Sequence, residues 1–370
     1  MRIAMIVNSY PPRLGGLEFH IQNLAESLAS QGHSVWVVTI STDPGERIDN
    51  GVRVITTASH LPIADVISFP GWGARRSITA FLRDNDIDLV SIHTRFFPMS
   101  FIGLRAAKRA GIPVIHTEHG SGFVQSKSPI ISLGSRIVDL TFGRYVLRHA
   151  NQVLAVSEQA AAFAHRLSKR PVEVFYNAIT PSEPLVEHPD RPTHLVFVGR
   201  VVEGKGWDAF LDAIAQLRTR GREVDGELLG GGAQLEEARR RVNELGLGGV
   251  VDVPGRVSPG DVRTRLSGAT LVNPTVLAEG FQTTLLEALF EGGRVVTFSV
   301  PGARLLHEQG APIAICPHRT TESLVETLDA FVADPPPQAD PSTMEPWTWP
   351  VRAREYAVIA QRVIDATPKR

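Results

Sequence analysis

The chain of 370 residues is long for a single hydrophobic core and is typical of two domains. Its 38 basic and 39 acidic residues give no general positive field, so a nucleic-acid-binding role is disfavoured. The single cysteine, Cys316, excludes an internal disulfide and a thiolate metal cluster, and it indicates a reducing compartment.

The first half of the chain alternates short β-branched segments with segments of helical period. Between strands predicted at residues 3–8 and 35–40, the side chains of Ile21, Leu24 and Leu28 recur at helical spacing. Further strands are predicted at residues 52–56, 89–93, 113–117, 153–156 and 172–176. This alternation predicts a parallel sheet with helices on both faces.

A proline-rich, charged segment at residues 179–192 lacks this periodicity and is predicted to be an interdomain linker. The strand and helix alternation then resumes, which predicts a second doubly wound domain. Its strands are predicted at residues 194–199, 227–230, 250–254, 270–273 and 294–298. The predicted domains are thus residues 1–178 and 193–350, followed by a helix at about residues 351–366.

No segment contains the roughly 18–20 apolar residues that span a bilayer, and the N-terminus is predicted to be a strand rather than a signal peptide. We therefore expect a cytoplasmic protein. Residues 128–149 combine apolar side chains with Arg136, Arg144 and Arg148, next to Lys127. This segment is either an amphipathic helix on an anionic membrane surface or an ordinary sheet-covering helix with a basic outer face.

Parallel sheets bind ligands at the carboxyl ends of their strands, where glycine-containing turns lead into helices. The first such turn contains Gly15 and Gly16, whose missing β-carbons would let backbone N–H groups approach an anion. The alternative is that both glycines only shape the turn.

The second turn carries Arg200 and Lys205, two cations suited to a diphosphate. The segment resembles a P-loop but has Gly206 where a magnesium-binding hydroxyl is required, so a kinase or ATPase is disfavoured. A surface loop with two solvated charges remains the alternative. The third turn, at residues 230–232, has Leu235 where a dinucleotide-binding fingerprint needs glycine, and a tight turn explains it better.

The fourth turn separates Glu279, in a loop, from Glu287, about one turn inside a helix predicted to start near Thr283. Eight residues of helix rise about 12 Å, whereas a retaining glycosidase needs carboxyl groups about 5–5.5 Å apart. This spacing fits the two ends of one long ligand, with backbone N–H groups between them. Alternatively, Glu287 is a solvated helix residue.

Two histidines lie near the end of the strand at residues 113–117. His116 and His119 are three residues apart and would point to opposite faces of a strand, which disfavours a shared metal ion. We expect His116 to be structural and His119, which precedes Gly120, to belong to an active site.

The order of these motifs resembles the family four retaining glycosyltransferases of the GT-B fold. The motifs are Gly15-Gly16-x-Glu18, Gly32-His33-x-Val35, His119-Gly120, Val156-Ser157, Asn177, Gly199-Arg200 with Lys205-Gly206, Gly230-x-Gly232 and Glu279-x7-Glu287. The resemblance covers nearly the whole chain. It implies two facing Rossmann-like, doubly wound parallel-sheet domains with a cleft between them, and a last helix, about 351–370, that packs back on the first domain.

The resemblance also implies roles for individual residues. The donor diphosphate would be bound by Gly15, Gly16, Arg200, Lys205, Gly280, Phe281, Gln282 and Thr283, and the ribose by Glu287. His119 and Glu279 would be catalytic and hold the transferred sugar. No metal and no cofactor is expected, because the two cations can offset the diphosphate charge. The sequence departs from the family pattern at Gln282, at Ala178 after Asn177, and at Arg294.

The predicted function is a retaining, metal-independent hexosyltransferase. It would move a hexosyl unit from a UDP- or GDP-sugar to a hydroxyl of a glycan, glycolipid or small-molecule acceptor. Two alternatives remain: a non-catalytic sugar-nucleotide-binding partner of another transferase, and a sugar-nucleotide epimerase on the same fold.

Overall fold

The computed structural model describes residues 1–13, 15–63, 67–123, 129–180, 189–277 and 280–367, without the side chains of residues 61–63, 67 and 129–131. The chain divides into two compact units, Met1–Thr180 with Thr348–Arg370 and Pro181–Trp347. The C-terminal residues therefore belong to the first unit. Residues 181–188 of the predicted linker, like Lys127 and Glu279, lie outside the described residues.

In the described part of the first unit, nine strands form one sheet in the order β3-β4-β2-β1-β6-β7-β8-β9, with β5 paired to β4. The strands are β1 (Arg2–Ile6), β2 (Ser34–Ser41), β3 (Gly45–Asp49), β4 (Val52–Ile63), β5 (Ile67–Pro70), β6 (Leu89–His93), β7 (Val114–Glu118), β8 (Gln152–Ala155) and β9 (Glu173–Val174). Neighbouring strands are parallel except that β3 and β5 run antiparallel to β4.

Helices cover both faces of this sheet. They are α1 (Gly16–Ser30), α2 (Ala74–Asp84), α3 (Pro98–Ala110), α4 (Pro129–Val138), a π-helical turn (Asp139–Gly143), α5 (Arg144–His149), α6 (Glu158–Ser168) and the C-terminal helix (Trp349–Asp365). The C-terminal helix packs against α1, and its Trp349 and Tyr356 are buried in the same core as Leu24 and Leu28. This helix is therefore an integral part of the first unit.

The second unit contains, among its described residues, a six-stranded parallel sheet in the order β12-β11-β10-β13-β14-β15. The strands are β10 (Arg191–Val198), β11 (Asp225–Leu229), β12 (Val251–Gly255), β13 (Ala269–Asn273), β14 (Arg294–Thr297) and β15 (Ile313–Ile315). The helices are α7 (Trp207–Thr219), α8 (Leu235–Glu244), α9 (Pro259–Leu266), α10 (Thr283–Phe290), α11 (Ala303–Glu308), α12 (Thr321–Ala333) and a 3-10 helix (Pro341–Trp347).

The predicted fold class, two α/β domains with parallel sheets, is confirmed. Strand β13 is buried along its length and β1 is buried except at Arg2, as expected of central strands covered on both faces. The sequence pattern did not indicate β3, because four of its five residues are exposed and it carries three charged side chains. Its pairing with β4 depends on backbone hydrogen bonds rather than on an apolar face.

Candidate functional site

Among the parallel strands, the strand order reverses between β1 and β6 in the first unit and between β10 and β13 in the second. At such a reversal the following helices turn to opposite faces and leave a crevice beyond the carboxyl ends of the strands. Gly15 and Gly16 follow β1, and Arg200 and Lys205 follow β10. These four predicted site residues therefore lie at the strand-order reversals.

The glycine pair of the first unit precedes α1. A β-carbon on Gly15 would collide with the Glu18 carboxylate, which is buried and accepts a hydrogen bond from the Ser9 hydroxyl at 2.6 Å. A β-carbon on Gly16 would meet nothing within 4 Å among the described residues. Gly15 thus leaves room for the Glu18 carboxylate, whereas Gly16 leaves open space at the helix N-terminus.

Three histidines of the first unit converge at the same sheet edge. His20 lies on α1, His93 ends β6 and His119 follows β7. One ring nitrogen from each lies within 4.8 Å of the other two, and His93 Nδ1 is 3.2 Å from His119 Nε2. His116 does not join them; it is buried and its Nε2 lies 3.3 Å from a Glu118 oxygen.

All three converging histidines are neutral near pH 7. Burial lowers the pKa of His20 to about 4 and lowers the pKa of His93 and of His119 well below the usual value. His20 Nδ1 donates to the Asn177 carboxamide oxygen at 2.5 Å, which leaves Nε2 as a buried acceptor without a partner in the described chain. His20 Nε2 can accept a hydrogen bond from a sugar hydroxyl. The spacing of the three rings could also accommodate a transition metal.

A buried ionic network holds the loop that carries His119. The Arg95 guanidinium lies 2.8 Å from an oxygen of Glu118 and 2.8 Å from an oxygen of Asp139. Glu118 Oε1 also accepts the backbone N–H groups of His119, at 3.1 Å, and Gly120, at 2.8 Å. Although burial opposes ionisation, Arg95 and these hydrogen bonds lower the pKa of Glu118 to about 2.

Sequence reasoning missed His20, His93 and Arg95. Their partners are distant in the chain, and no local motif links them. The one available signal was that His93 ends a predicted strand, whose carboxyl end must lie beside that of the strand leading to His119.

In the second unit, glycines hold the loop after β10 against neighbouring backbone. A β-carbon on Gly230 would collide with the carbonyl of Gly199, and one on Gly232 with the carbonyl of Val201. The Gly199 N–H donates to the Leu229 carbonyl at 3.0 Å. These glycines therefore allow the loop after β11 to pack against the backbone of the loop after β10, at Gly199 and at Val201. Arg200, between these two contacts, is exposed.

Lys205, which is half-buried, lies between two glycines with left-handed backbone conformation. Gly206 has a φ of 86°, and a β-carbon there would collide with the Pro274 carbonyl. The Gly204 carbonyl accepts the Val276 N–H at 2.9 Å. The loop that carries Lys205 is thus attached to the loop after β13.

Helix α10 begins at Thr283, directly after Phe281 and Gln282. The Phe281 ring stacks on Trp347 with centroids 5.9 Å apart, and Gln282 is buried with Nε2 unpartnered in the described chain. The first backbone N–H groups of this helix can bind an anion.

Glu287 lies one turn inside α10 and is half-buried. Burial raises the pKa of Glu287, while the charge of Arg263 opposes this effect.

The Arg294 side chain, one of the departures from the family pattern, is buried and pairs with Asp190 at 2.8 Å, while its Nε donates to the Pro336 carbonyl. Arg294 therefore links β14 to Asp190, which precedes β10, and to Pro336, which follows α12, and this gives the departure a structural explanation.

Two doubly wound α/β units, each with predicted site residues at its strand-order reversal, define a two-domain protein of the GT-B class. The chain belongs to the group 1 glycosyltransferases. Residues 14–183 match the model described as Glycosyltransferase Family 4, and residues 183–344 match Glycosyl transferases group 1.

Known proteins resemble the chain in sequence or in fold. The chain is 28% identical over 318 residues to a subunit of the Homo sapiens Phosphatidylinositol N-acetylglucosaminyltransferase, over 81% of this chain and 62% of that protein. Sucrose-phosphate synthase (tll1590) from Thermosynechococcus elongatus superposes with a TM-score of 0.71 at 19% identity, over 99% of both chains. Anabaena Alr3699/HepE in complex with UDP gives 0.69 at 16% identity, over 99% of this chain and 98% of that one.

Among the described helices, none combines the length and the apolar character needed to cross a bilayer.

Proposed function

We propose that the protein transfers a hexosyl unit from a UDP- or GDP-sugar to a hydroxyl of a glycan, glycolipid or small-molecule acceptor. Transfer would retain the anomeric configuration and need neither a metal nor another cofactor. The observation that carries this proposal is the Lys205 loop, which glycine contacts attach to the loop after β13 at the strand-order reversal of a group 1 glycosyltransferase.

The second unit supplies groups suited to the donor diphosphate and ribose. Arg200 can bond two phosphate oxygens, Lys205 adds a point charge, and the N-terminus of α10 adds backbone N–H groups. Glu287 would accept from the ribose hydroxyls. Because two cations offset the charge of the leaving diphosphate, no metal is required. One protein of similar fold, Alr3699/HepE, is seen in complex with UDP.

Gly15 and Gly16 would also approach the donor, and the open space at Gly16 supports this role. We propose that His119 and Glu279 hold the transferred sugar. His119 would contribute a neutral imidazole, since its pKa lies well below the usual value. The leaving phosphate would help to deprotonate the acceptor on the face from which it departs.

Substitution of Glu287 and of Glu279 should affect different kinetic parameters. Ribose contacts change little between ground and transition state, so Glu287→Gln should mainly raise the donor KM. Glu279 would lie beside a centre that becomes oxocarbenium-like, so Glu279→Gln should lower kcat by roughly 10²–10³. Glu308→Gln, at an exposed position, is the matched control. Wild-type kinetics in both test variants would refute the assignment of these carboxylates to the site.

The stereochemistry and metal requirement are tested by following the product anomer by NMR in the presence of EDTA. We expect a retained anomer and undiminished turnover. An inverted product, or activity lost with EDTA and restored by Mg²⁺ or Mn²⁺, would contradict the proposal. Donor-dependent thermal stabilisation without turnover would favour a non-catalytic partner, and conversion of the donor without acceptor would favour an epimerase.

We further propose that the first unit contacts an anionic membrane through α4 and the π-helical turn. Leu133, Ile137 and Leu140 are exposed at spacings of four and three residues, which places them on one helix face. Arg136, also exposed, adds a positive charge to this segment. Large apolar side chains grouped on one exposed face favour an interaction surface over an ordinary helix exterior.

Sedimentation with anionic vesicles tests this surface. Burying one leucine side chain contributes about 1.5–3 kcal/mol, so Leu133→Ser with Ile137→Ser should lower vesicle binding at least about tenfold. Val358→Ser, at an exposed apolar position of the C-terminal helix, is the control. Binding should weaken as salt rises. Absence of binding by the wild-type protein at low salt would refute a membrane role.

A further inference from the structure

Four side chains of the first unit form a continuous hydrogen-bonded chain that ends at His119. The Tyr356 hydroxyl, on the C-terminal helix, lies 2.9 Å from Ser91 Oγ. Ser91 Oγ lies 3.1 Å from His93 Nε2, and His93 Nδ1 lies 3.2 Å from His119 Nε2. Ser91 and His93 are two residues apart on β6, so their side chains point to the same face of the sheet.

Burial determines the direction of the first two bonds. Tyr356 and Ser91 are both fully buried. Tyr356 donates to Ser91, because its proton would otherwise be a buried donor without an acceptor, at a cost of about 1–3 kcal/mol. The Ser91 proton is then directed to His93 Nε2, which must accept it.

This direction determines the tautomer of each histidine. A neutral imidazole has one N–H group and one acceptor nitrogen. Since His93 accepts at Nε2, its proton lies on Nδ1 and is donated to His119 Nε2. The proton of His119 therefore lies on Nδ1. Burial favours the neutral form of both rings, as their lowered pKa values indicate.

We propose that Tyr356, Ser91 and His93 are positioning residues that hold His119 in its Nδ1–H tautomer, so that it meets the transferred sugar as a hydrogen-bond donor. This inference rests on the proposed sugar contact of His119. It assigns a role in the reaction to buried residues of β6 and of the C-terminal helix.

A transition-metal site at His20, His93 and His119 requires a different protonation. Because Ser91 faces His93 Nε2, the metal would take its lone pair from His93 Nδ1, and the His93 proton would move to Nε2, facing Ser91. The tautomer of His93 thus distinguishes the two arrangements.

The test is a long-range ¹H–¹⁵N NMR spectrum of the full chain labelled at histidine, recorded at pH 7.5. His93→Gln and His119→Gln assign the two rings. We expect both rings as Nδ1–H tautomers in the wild-type protein. Tyr356→Phe should reduce the Nδ1–H population of His119 and lower kcat by about fivefold, the factor that corresponds to one net hydrogen bond, while the donor KM changes less. Ser91→Ala should act in the same way.

Tyr176→Phe is the control, because it removes a tyrosine hydroxyl of the same unit that bonds Glu158 instead. It should leave the histidine spectrum and kcat unchanged. An Nε2–H tautomer of His93 in the wild-type protein would overturn the inference and favour a metal site. A Tyr356→Phe protein with the wild-type spectrum would also overturn it. The tautomers are measured without turnover, so an inactive protein with the expected tautomers would refute only the proposed function.

Discussion

Removing the Arg95 cation should strongly destabilise the first unit. The side chains of Arg95, Glu118 and Asp139 are at most 1% exposed, and both ion pairs are 2.8 Å long. Arg95→Met leaves two buried carboxylates without their cation. Breaking a buried pair by removal of one partner costs about 3–5 kcal/mol, a large part of the 5–15 kcal/mol that typically stabilises a domain.

The pH dependence of this cost follows from Glu118. Its folded-state pKa of about 2 lies below the usual 4.5, so its ionised form contributes stability that is present above pH 4.5 and is lost as the pH falls toward 2. Arg95→Met removes the charge that lowers this pKa. The difference in the free energy of unfolding between variant and wild type should therefore be largest near pH 7 and smaller at pH 4.

Urea denaturation followed by circular dichroism, with the first unit fitted as a separate transition, measures this difference. Arg109→Met, at an exposed position of α3, should change stability by no more than about 0.5 kcal/mol. Combining Arg95→Met with Glu118→Gln and Asp139→Asn should recover much of the loss, because no buried charge remains unpaired. A cost below about 1 kcal/mol, or one that is equal at pH 7 and pH 4, would refute the reasoning.

Two further predictions concern a glycine and a histidine. Gly206→Ala should weaken UDP binding measured by calorimetry and lower thermal stability more than Gly246→Ala, which shares the left-handed backbone but has open space around its β-carbon; equal effects would mean that the Pro274 contact is unimportant. Burial lowers the pKa of His20 from 6.5 to about 4. The free energy of unfolding should therefore be about 3 kcal/mol higher above pH 6.5 than at pH 4, because the unfolded chain binds a proton that the folded protein does not. His20→Gln should flatten the melting-temperature profile across that window, and an unchanged profile would contradict the shift.

Much of the fold could be predicted because its signals are local. Apolar runs such as β1 and helical repeats such as Leu24 and Leu28 depend on neighbouring residues alone, so they are visible in the sequence. The positions of Arg200 and Lys205 at the end of a strand could also be predicted, since the carboxyl ends of parallel strands meet at one edge of a sheet. The roles of Glu279 and Glu287 remain predictions that came from the order of the motifs.

The amino-acid sequence by itself determined the α/β class, the two-domain division and the turns that carry the cations. Only the tertiary structure brought His20 and His93 to His119 and enclosed Arg95 between Glu118 and Asp139. These contacts join residues far apart in the chain, and they depend on strand order and helix packing. Burial then sets the protonation of these groups, because the loss of water penalises every charge that lacks a partner.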